Sequence, residues 1–459
     1  MTTTALDPRP KTPETLPTGR ASVARVPRYT SYPTADKFTD TFDHHNASQA
    51  LAARAVGVAG PLSVYVHVPF CSSLCYYCAC NKVITQRYDK APPYVRALLA
   101  EVDLIDAVLE GDRRVSQIHL GGGSPTFLNA SDMSRLLRGL RSRFDVLDNA
   151  ECSIEIDPRF VDEDALTALA ADGFNRMSLG VQDFDSAVQQ AINRVQSVAL
   201  VARVLEMARS LGFQSTNFDL ICGLPHQTPQ SFRKTIASVV SMRPERVALY
   251  NYAHIPTQFR AQRMLDEATL PSELSKARIF DIAYEHLIDA GYVYIGMDHF
   301  AVPEDKLAKA LTTGCLHRNF QGYTTQPECD LIGLGASAIS RVGMTYSQNH
   351  RDIKTYTACV ARGTLPTLRG IGLSHDDLVR RSVIMAIMCH GFVDKLVVED
   401  AYMLDFDVYF ARELRALGPL SQKGFVILTP DSIEVTQRGR HRALQLIGSV
   451  FDNHLTRVA

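Results

Sequence analysis

Residues 63–82 read SVYVHVPFCSSLCYYCACNK. The first six alternate like a buried strand, and four cysteines follow within ten residues: Cys71, Cys75, Cys78 and Cys80. A short, irregular loop at the end of such a strand can direct several thiolates at one point. The C-x3-C-x2-C spacing is typical of three ligands to an iron–sulfur cluster. Because a 4Fe–4S cluster has four irons, three ligands leave one iron open to chelate a small molecule.

A structural zinc site is the main alternative for this loop. Structural zinc usually takes two C-x2-C pairs that are separated by a longer spacer. Here all four cysteines lie in one loop, and only one residue separates Cys78 from Cys80. The loop is also too tight for a disulfide framework. The spacing therefore favours iron–sulfur over zinc, and metal analysis would separate the two. The other cysteines are scattered: Cys152, Cys222, Cys315, Cys329, Cys359 and Cys389.

Composition and charge narrow the class of protein. The chain has 459 residues, of which 46% are hydrophobic, so we expect more than one domain. A formal net charge of -1 gives no overall field that would favour nucleic acid or an anionic membrane. No apolar run approaches a membrane span, and the polar N-terminus lacks a secretory signal. We expect a disordered leader from Met1 to about Arg25, and a protein of the reducing cytoplasm.

Strand-like and helix-like segments alternate from Leu62 onward, which predicts a parallel sheet with right-handed crossovers. Closing such units gives a barrel or partial barrel whose chemistry lies at the C-terminal strand ends. Residues 296–345 are glycine-rich, and we expect them to form site-lining loops rather than a core layer. After about residue 355 the pattern becomes helical with one hairpin, which suggests a winged-helix-like domain. The predicted strands are Val64–Val68, Val115–Leu120, Cys152–Ile156, Arg176–Leu179, Ser215–Ile221, Arg246–Tyr250 and Tyr292–Ile295.

The cysteine run resembles the cluster loop of the radical S-adenosylmethionine (radical SAM) superfamily. Its C-x-C-N-K ending, Cys78–Lys82, is similar to that of one branch, the oxygen-independent coproporphyrinogen III oxidases. The resemblance runs from about residue 28 to the C-terminus. Further motifs carry it: RYTSYPT at 28–34, NRMSLGVQDF at 175–184, DLICGLP at 219–225, NYAH at 251–254, GMDHF at 296–300 and HRNFQGYTT at 317–325.

The resemblance implies an α/β fold: a partial (β/α)6 TIM-like barrel with a mostly helical, winged-helix-like C-terminal domain. We expect residues 1–45 to form a leader and substrate-site arm, residues 46–355 the barrel, and residues 356–459 the C-terminal domain. The arm motif stands in a polar leader where nothing structural demands it, so we expect it to serve the substrate.

The resemblance also implies an activity. A 5′-deoxyadenosyl radical, made from S-adenosylmethionine, would abstract a β-hydrogen from a propionate of coproporphyrinogen III. Loss of carbon dioxide and one electron would leave a vinyl group, and two rounds would give protoporphyrinogen IX for haem biosynthesis. An electron donor such as flavodoxin or ferredoxin is implied, as is a monomeric protein. The alternative is a haem-binding chaperone, but such relatives typically lack the C-x-C-N-K ending and the RYTSYPT arm.

The family's site residues carry over onto this sequence one by one. Three cysteines would bind the cluster: Cys71, Cys75 and Cys78. The catalytic candidates are Cys80 and Tyr65. One S-adenosylmethionine would contact Tyr65, Gly122, Glu155 and Ile339. A second would contact Tyr77, Gly123, Ser124, Gln182, Arg194, Asp219 and Ala253. Tyr77 and Ser124 depart from the phenylalanine and threonine that are common in the family, but they keep the shape or the hydroxyl.

A substrate with four propionates requires cationic donors in its pocket, and arginine pairs well with carboxylates. Four basic residues lie in the matching motifs and are candidates: Arg28, Lys82, His299 and Arg318.

Overall fold

The computed structural model describes residues 26–54, 60–326 and 329–455. The predicted leader up to Arg25 lies outside them. The first half of the chain contains α1 His44–Ala52, β1 Leu62–Val68, β2 Phe70–Cys71, β3 Val83–Ile84, α2 Ala91–Val108, β4 Arg114–Gly122, α3 Ala130–Arg141, β5 Asp145–Ile156, α4 Glu163–Ala171, β6 Arg176–Gln182, α5 Ser186–Ala191, α6 Val198–Ser210, β7 Ser215–Cys222, α7 Pro229–Met242, β8 Arg246–Asn251 and α8 Glu273–Asp289.

The second half has shorter strands and more helices. It contains β9 Val293–Gly296, β10 His299–Ala301, α9 Lys306–Thr312, β11 His317–Asn319, β12 Gly322–Thr324, β13 Leu331–Leu334, β14 Ile339–Val342, β15 Thr345–Asn349, α10 Ile353–Ala361, β16 Thr367–Gly372, α11 His375–His390, β17 Phe392–Asp394, α12 Lys395–Tyr402, α13 Phe406–Tyr409, α14 Ala411–Gln422, β18 Val426–Leu428, β19 Ser432–Val435, α15 Gln437–Arg442 and α16 Leu444–Ser449. Throughout the described ranges, no helix combines the length and the apolar character that crossing a membrane requires.

Six strands, β1, β4, β5, β6, β7 and β8, lie side by side and run parallel, and a helix follows each of them. This arrangement confirms the predicted partial barrel of six βα units. On β1, Val64 and Val66 are buried in the main apolar core with the surrounding helices. Side chains on the opposite face of the strands, such as Ser63 and Tyr65, meet polar partners inside the barrel. The strands therefore alternate between an apolar outer layer and a polar interior.

The sheet extends beyond the six units at both edges. The segment Tyr292–Ile295, predicted as a seventh parallel strand, forms most of β9 instead. Strand β9 pairs antiparallel with β10, and β10 in turn pairs antiparallel with β8. At the other edge β13 pairs parallel with β1, and β14 to β16 continue the sheet antiparallel. The expectation that residues 296–345 form only loops is therefore wrong. Leu331–Leu334 is too short for a clear periodicity, and its pairing with β1 is remote in sequence.

Helices α11 to α16 and a small antiparallel sheet of β17, β19 and β18 form the C-terminal unit. The predicted hairpin is confirmed as β18 and β19, and β17 is an additional strand. The expected division at residue 355 falls inside α10, and β16 still belongs to the large sheet. We therefore propose to place the end of the barrel unit at Gly372.

The RYTSYPT arm packs into this C-terminal unit. Tyr29 and Tyr32 are fully buried among the side chains of its apolar core. The Tyr29 hydroxyl donates to Asp452 Oδ2 at 2.9 Å, and the Tyr32 hydroxyl donates to Asn453 Oδ1 at 2.6 Å. The expectation that nothing structural demands this motif is therefore wrong. Its tyrosines complete a core whose other buried residues begin only at Val379, and they bond to Asp452 and Asn453, which lie 423 and 421 residues away in sequence.

We expect Tyr32→Ala to destabilise the C-terminal unit by about 3–5 kcal/mol, because it empties a fully buried aromatic position. Tyr32→Phe removes one hydrogen bond and should cost about 1 kcal/mol. Hydrogen exchange of the α11 amides measures this local stability. Unchanged exchange in Tyr32→Ala would show that the arm does not support the unit.

Candidate active site

The cysteine loop is held by hydrogen bonds from several other segments. The Lys82 ammonium donates to the carbonyl oxygen of Cys78 at 2.9 Å, and the Asn193 amide donates to the carbonyl oxygen of Leu74 at 2.8 Å. The Thr85 N–H donates to the Cys71 carbonyl at 2.9 Å. An irregular loop has few internal backbone bonds, so these external donors determine its path.

The thiols of Cys71, Cys75 and Cys78 face one another. Burial, followed by the proximity of Cys78 and Cys75, raises the pKa of Cys71 to about 12. In the described part of the chain, a set of three His, Cys, Asp or Glu side chains whose ligand atoms all lie within 4.8 Å of one another occurs at residues 43–45, at the start of α1. By contrast, the three thiol sulfurs do not all lie within 4.8 Å of one another. Neighbouring thiolates from one loop are the usual ligands of an iron–sulfur cluster.

Cys80 lies at the exposed edge of the same loop. Its side chain hydrogen-bonds to Cys78, and together with the Lys82 ammonium this bond lowers the pKa of Cys78 to about 6, although burial opposes the shift. The loop thus brings Cys80 next to the third cysteine of the C-x3-C-x2-C run.

The glycine loop after β4 lies directly against the cysteine loop. The Gly123 N–H donates to the Val68 carbonyl, and the Ser124 N–H donates to the Phe70 carbonyl, both at 2.8 Å. A Cβ on Gly123 would lie 2.8 Å from the backbone of Pro69 and Phe70. Gly122 has φ +111°, and a Cβ there would lie 2.5 Å from the His67 ring. Both positions therefore require glycine.

Tyr65 and His67 share one hydrogen-bonded chain on the inner face of β1. His67 Nε2 lies 2.9 Å from the Asn81 carbonyl oxygen, which can only accept, so Nε2 carries the proton. Burial lowers the pKa of His67, and its neutral Nδ1 accepts from the Tyr65 hydroxyl at 3.1 Å. Burial raises the pKa of Tyr65, so its phenol stays protonated. The Tyr65 ring stacks on His119, with ring centroids 5.9 Å apart.

The Glu155 side chain projects from β5 into the barrel interior, where it lies next to His119, the residue on which Tyr65 stacks. Its carboxylate accepts the Gly122 N–H at 3.1 Å and lies 3.6 Å from His119 Nε2. Burial raises the pKa of Glu155, but His119 and the Gly122 N–H outweigh burial and hold the pKa below its usual value. His119 in turn lies 2.7 Å from the Ser153 hydroxyl. The alternation of residues along β5 predicted that Glu155 points inward. Its position next to His119 depends on how β4 and β5 are aligned, which the sequence pattern does not give.

Two further predicted residues lie on β6 and β7. Asp219 accepts from the Ser178 hydroxyl at 2.7 Å and from the Asn217 amide at 2.9 Å. Burial nevertheless raises the pKa of Asp219 to about 6. Gln182 ends β6 with φ +66°, an uncommon conformation for a residue with a side chain, and it is buried. Such strained positions concentrate at functional sites.

The remaining residues predicted to contact a cofactor are Tyr77, Ala253 and Ile339, and contacts to their backbone position them. The Gln262 amide donates to the carbonyl oxygens of both Tyr77 and Ala253 at 3.1 Å, so one buried side chain joins these two segments. Ile339 passes over Gly333, where a Cβ would lie 2.4 Å from the Ile339 carbonyl oxygen. Because Gly333 pairs with Tyr65, Ile339 lies beside β1. The sequence analysis did not identify Gln262, since a lone glutamine in a loop carries no signal.

Arg194 belongs to an ionic cluster that the sequence analysis identified only in part. Its Nη1 donates to Asp157 Oδ2 at 2.8 Å and lies 3.5 Å from Cys75 Sγ. Arg159 binds the same carboxylate through Nε at 3.0 Å and Nη2 at 2.8 Å. Asp157 and Arg159 were missed, although their position directly after β5 was an available signal.

Three of the four basic candidates lie close together, around Tyr250 on β8 and Tyr323 on β12. The Arg28 guanidinium lies 5.1 Å from the Tyr250 ring, and the Arg318 guanidinium lies 4.6 Å from the Tyr323 ring. The His299 ring lies between the two tyrosines, with centroid distances of 6.1 and 5.3 Å. We call these five residues the cationic niche. Lys82, the fourth candidate, instead holds the cysteine loop.

The cationic niche contains one guanidinium without a carboxylate partner. Arg28 pairs with Asp298, whereas Nε and Nη1 of Arg318 bind no other group in the described part of the chain. Arg318 is only 6% exposed. Burial and the neighbouring Arg318 lower the pKa of Arg28 to about 10, and burial with both arginines lowers the pKa of His299 well below its usual value. A buried, unpaired guanidinium is costly unless an anion binds to it.

Comparisons with known proteins identify the family. Residues 65–239 match the radical SAM superfamily. The chain is 47% identical to oxygen-independent coproporphyrinogen III oxidase of Salmonella typhimurium and 46% identical to that of Escherichia coli, over 94% of each chain. The chain belongs to the oxygen-independent coproporphyrinogen III oxidase family. The solved structure of coproporphyrinogen III oxidase from Escherichia coli, described as a radical SAM enzyme, covers 93% of this chain and 98% of its own at 45% identity, with a TM-score of 0.89.

Membership of this family confirms the predicted fold and the two kinds of cofactor, a 4Fe–4S cluster and S-adenosylmethionine. The residues present fit both. Cys71, Cys75 and Cys78 bring three thiols close together in one loop, and thiolates are the usual ligands of iron–sulfur clusters. The glycine loop packs directly on the cysteine loop, since a Cβ at Gly123 would meet the backbone of Pro69 and Phe70. Glu155, whose pKa is held below its usual value, supplies a carboxylate nearby that can bind an ammonium group.

We expect Gly123→Ala to displace the cysteine loop, because its Cβ would press on the backbone of Pro69 and Phe70. Overpacking of this kind costs about 1–3 kcal/mol, and the variant should lose most of its iron after anaerobic reconstitution. Iron analysis and visible absorbance measure the loss. Gly418→Ala is the control, since nothing lies within 4 Å of a Cβ at that position. Wild-type iron content in Gly123→Ala would show that the loop does not depend on this contact.

Proposed function

We propose that this protein decarboxylates two propionates of coproporphyrinogen III to vinyl groups, giving protoporphyrinogen IX in haem biosynthesis. The observation that carries the proposal is that one barrel holds three neighbouring thiols in the loop after β1 and a buried guanidinium, Arg318, without a hydrogen-bond partner on Nε and Nη1. Both arginines of the cationic niche interact with Tyr250, which also interacts with Glu155 and Asp219 of the barrel interior. Thiols can hold the radical-generating centre, and the guanidinium can hold a carboxylate. Identity of 46–47% over nearly the whole chain to enzymes of this name supports the same reaction.

When bound, a 4Fe–4S cluster and S-adenosylmethionine would supply the radical chemistry that removes a hydrogen atom from the substrate propionate, which no side chain of this chain can do. We propose that Cys71, Cys75 and Cys78 hold the three ligated irons. Tyr65 keeps its proton because burial raises its pKa, and its hydroxyl donates to His67 Nδ1, so the hydroxyl oxygen can accept a hydrogen bond from a donor in the barrel interior. Cys80 lies close enough to Cys78 to position a substrate group or relay an electron.

We propose two S-adenosylmethionine molecules, as the family resemblance implies. The first would contact Tyr65, Gly122, Glu155 and Ile339, which adjoin one another on β1, β4, β5 and β14. The second would contact Tyr77, Gly123, Ser124, Gln182, Arg194, Asp219 and Ala253. The ionised carboxylate of Glu155 can accept from an ammonium group, and the raised pKa of Asp219 leaves its carboxyl able to exchange a proton near neutral pH.

The cationic niche supports a specific role toward the substrate. The carboxylate of the reacting propionate leaves as neutral carbon dioxide. Holding that carboxylate between guanidinium groups would therefore stabilise the starting state more than the transition state. We therefore propose that Arg318, beside Arg28 and His299, holds a propionate that does not react in the same round. This contact would orient the macrocycle and present another propionate to the radical.

We also propose that a flavodoxin or ferredoxin donates the electron and that the protein acts as a monomer in the cytoplasm. Ten free cysteines and no disulfide among them support a reducing compartment. The haem-chaperone alternative has no support from the comparisons, and the C-x-C-N-K ending and the RYTSYPT arm both stand against it.

We expect Cys71→Ser, Cys75→Ser and Cys78→Ser each to lose the cluster, because each removes one of three thiolate ligands. Cys80→Ser should keep a full complement of about four irons per chain and still respond to S-adenosylmethionine. Iron analysis and electron paramagnetic resonance of the reduced variants measure both properties. Stoichiometric zinc without iron in the wild type, or cluster loss in Cys80→Ser equal to that in Cys78→Ser, would contradict the three-ligand assignment.

We expect Arg318→Gln to weaken substrate binding by about 10- to 100-fold, the range for a lost charge-assisted hydrogen bond. Titration with coproporphyrin III, the oxidised analogue that keeps all four propionates, measures this affinity without turnover. The KM should rise, while kcat and iron content stay near wild type, and Arg318→Lys should restore part of the affinity. Arg233→Gln, at an exposed position on α7, is the control. A fall in kcat at unchanged affinity would place Arg318 at the reacting carboxylate instead.

A further inference from the structure

Cys75 differs from the other cysteines of the loop because two guanidinium groups reach its sulfur. Arg194 Nη1 lies 3.5 Å from Cys75 Sγ, and Arg159 Nη2 lies 3.6 Å from it. Both distances fall within the range for hydrogen bonds to sulfur. Asp157 binds both arginines, accepting at 2.8 Å from each, so the three side chains form one rigid unit.

This unit is largely shielded from water. The exposed fractions are 8% for Cys75, 6% for the Arg194 side chain, and 13% for the side chains of both Arg159 and Asp157. Electrostatic interactions are stronger in such surroundings than in bulk water. Two arginines and one aspartate carry a net charge of about +1 beside the sulfur.

We propose that Arg159, together with Arg194, raises the reduction potential of the 4Fe–4S cluster through N–H donors and positive charge at Cys75. The inference rests on the proposed function, because Cys75 must be a cluster ligand. Reduction adds negative charge to the cluster and its sulfurs, so donors and nearby positive charge stabilise the reduced state more than the oxidised state. Hydrogen bonds to the sulfurs are an established means of setting the potential of such clusters.

Arg159 is the residue that tests this role. Arg194 also donates to the Gly180 carbonyl through Nε and Nη2, at 3.1 and 2.6 Å, so replacing it would disturb β6 as well. It also belongs to the residues proposed for the second S-adenosylmethionine. Among the residues that the structure describes, the Arg159 guanidinium has hydrogen-bond or ring contacts with Asp157, Cys75 and, at 5.1 Å, the Phe160 ring. A change at Arg159 therefore acts mainly at Cys75.

The experiment is a redox titration of reconstituted protein, followed by electron paramagnetic resonance without S-adenosylmethionine or substrate. Arg159→Met keeps the length of the side chain but removes its donors and charge. We expect the equilibrium constant for one-electron reduction to fall about tenfold, a shift of 59 mV to lower potential. Arg159→Lys keeps the charge, so its midpoint potential should lie between those of the wild type and Arg159→Met. Asp157→Asn removes a negative charge and should shift the potential in the opposite direction. Arg143→Met, which breaks an exposed pair with Asp103, is the matched control.

The outcomes separate this inference from the proposed function. An unchanged midpoint potential in Arg159→Met with full iron content would overturn the inference, as would a shift of Asp157→Asn to lower potential. Loss of the cluster in both Arg159 variants would also overturn it, since a group that only tunes the potential is not needed for ligation. Retention of the cluster in Cys75→Ser would instead show that the proposed ligand set fails, before any arginine variant is considered.

Discussion

The site depends on one constraint: an irregular loop must hold three thiols in fixed positions. The loop cannot do so alone, because it makes few backbone bonds within itself. The glycine loop after β4 donates two N–H groups to the carbonyls of Val68 and Phe70. Lys82, Asn193 and Thr85 donate to further loop carbonyls, those of Cys78, Leu74 and Cys71. The parallel pairing of β1 with β4 places the glycine loop within reach, so the barrel determines the geometry of the metal site.

The interior of the barrel is polar, which suits a cavity that must hold charged cofactors. Hydroxyl, imidazole and carboxylate groups follow one another along the inner faces of β1, β4 and β5, for example Tyr65, His119 and Glu155. Each has a partner, as buried polar groups require. The apolar layer that stabilises the fold lies outside, between the strands and the helices. Stability and chemistry therefore use opposite faces of the same strands, and a side chain can change on one face without repacking the other.

The cationic niche and the N-terminal arm connect the C-terminal unit to the site. Arg28 reaches Asp298 and the Tyr250 ring, while its neighbour Tyr29 is buried in the C-terminal core. The Tyr323 hydroxyl donates to the Met388 carbonyl of α11 at 2.7 Å. The C-terminal unit thus supports the groups that we propose for the substrate, whereas the barrel supports those that we propose for the cofactors. This division explains why the RYTSYPT motif carries both apolar aromatic and cationic residues.

The sequence by itself identified the cysteine loop as a candidate metal site, the alternation of strands and helices, and the inward direction of Glu155, because spacing and periodicity are local properties. The number of six units came from the family resemblance. The motifs also identified the family, and with it the cofactors. The tertiary structure decided what depends on contacts between remote segments. It joined β13 to β1, buried Tyr29 and Tyr32 in the C-terminal core, brought Arg28 to Arg318, and placed Arg159 at Cys75. No local pattern encodes these contacts, because each partner has a plausible surface or loop role until the chain brings the other partner to it.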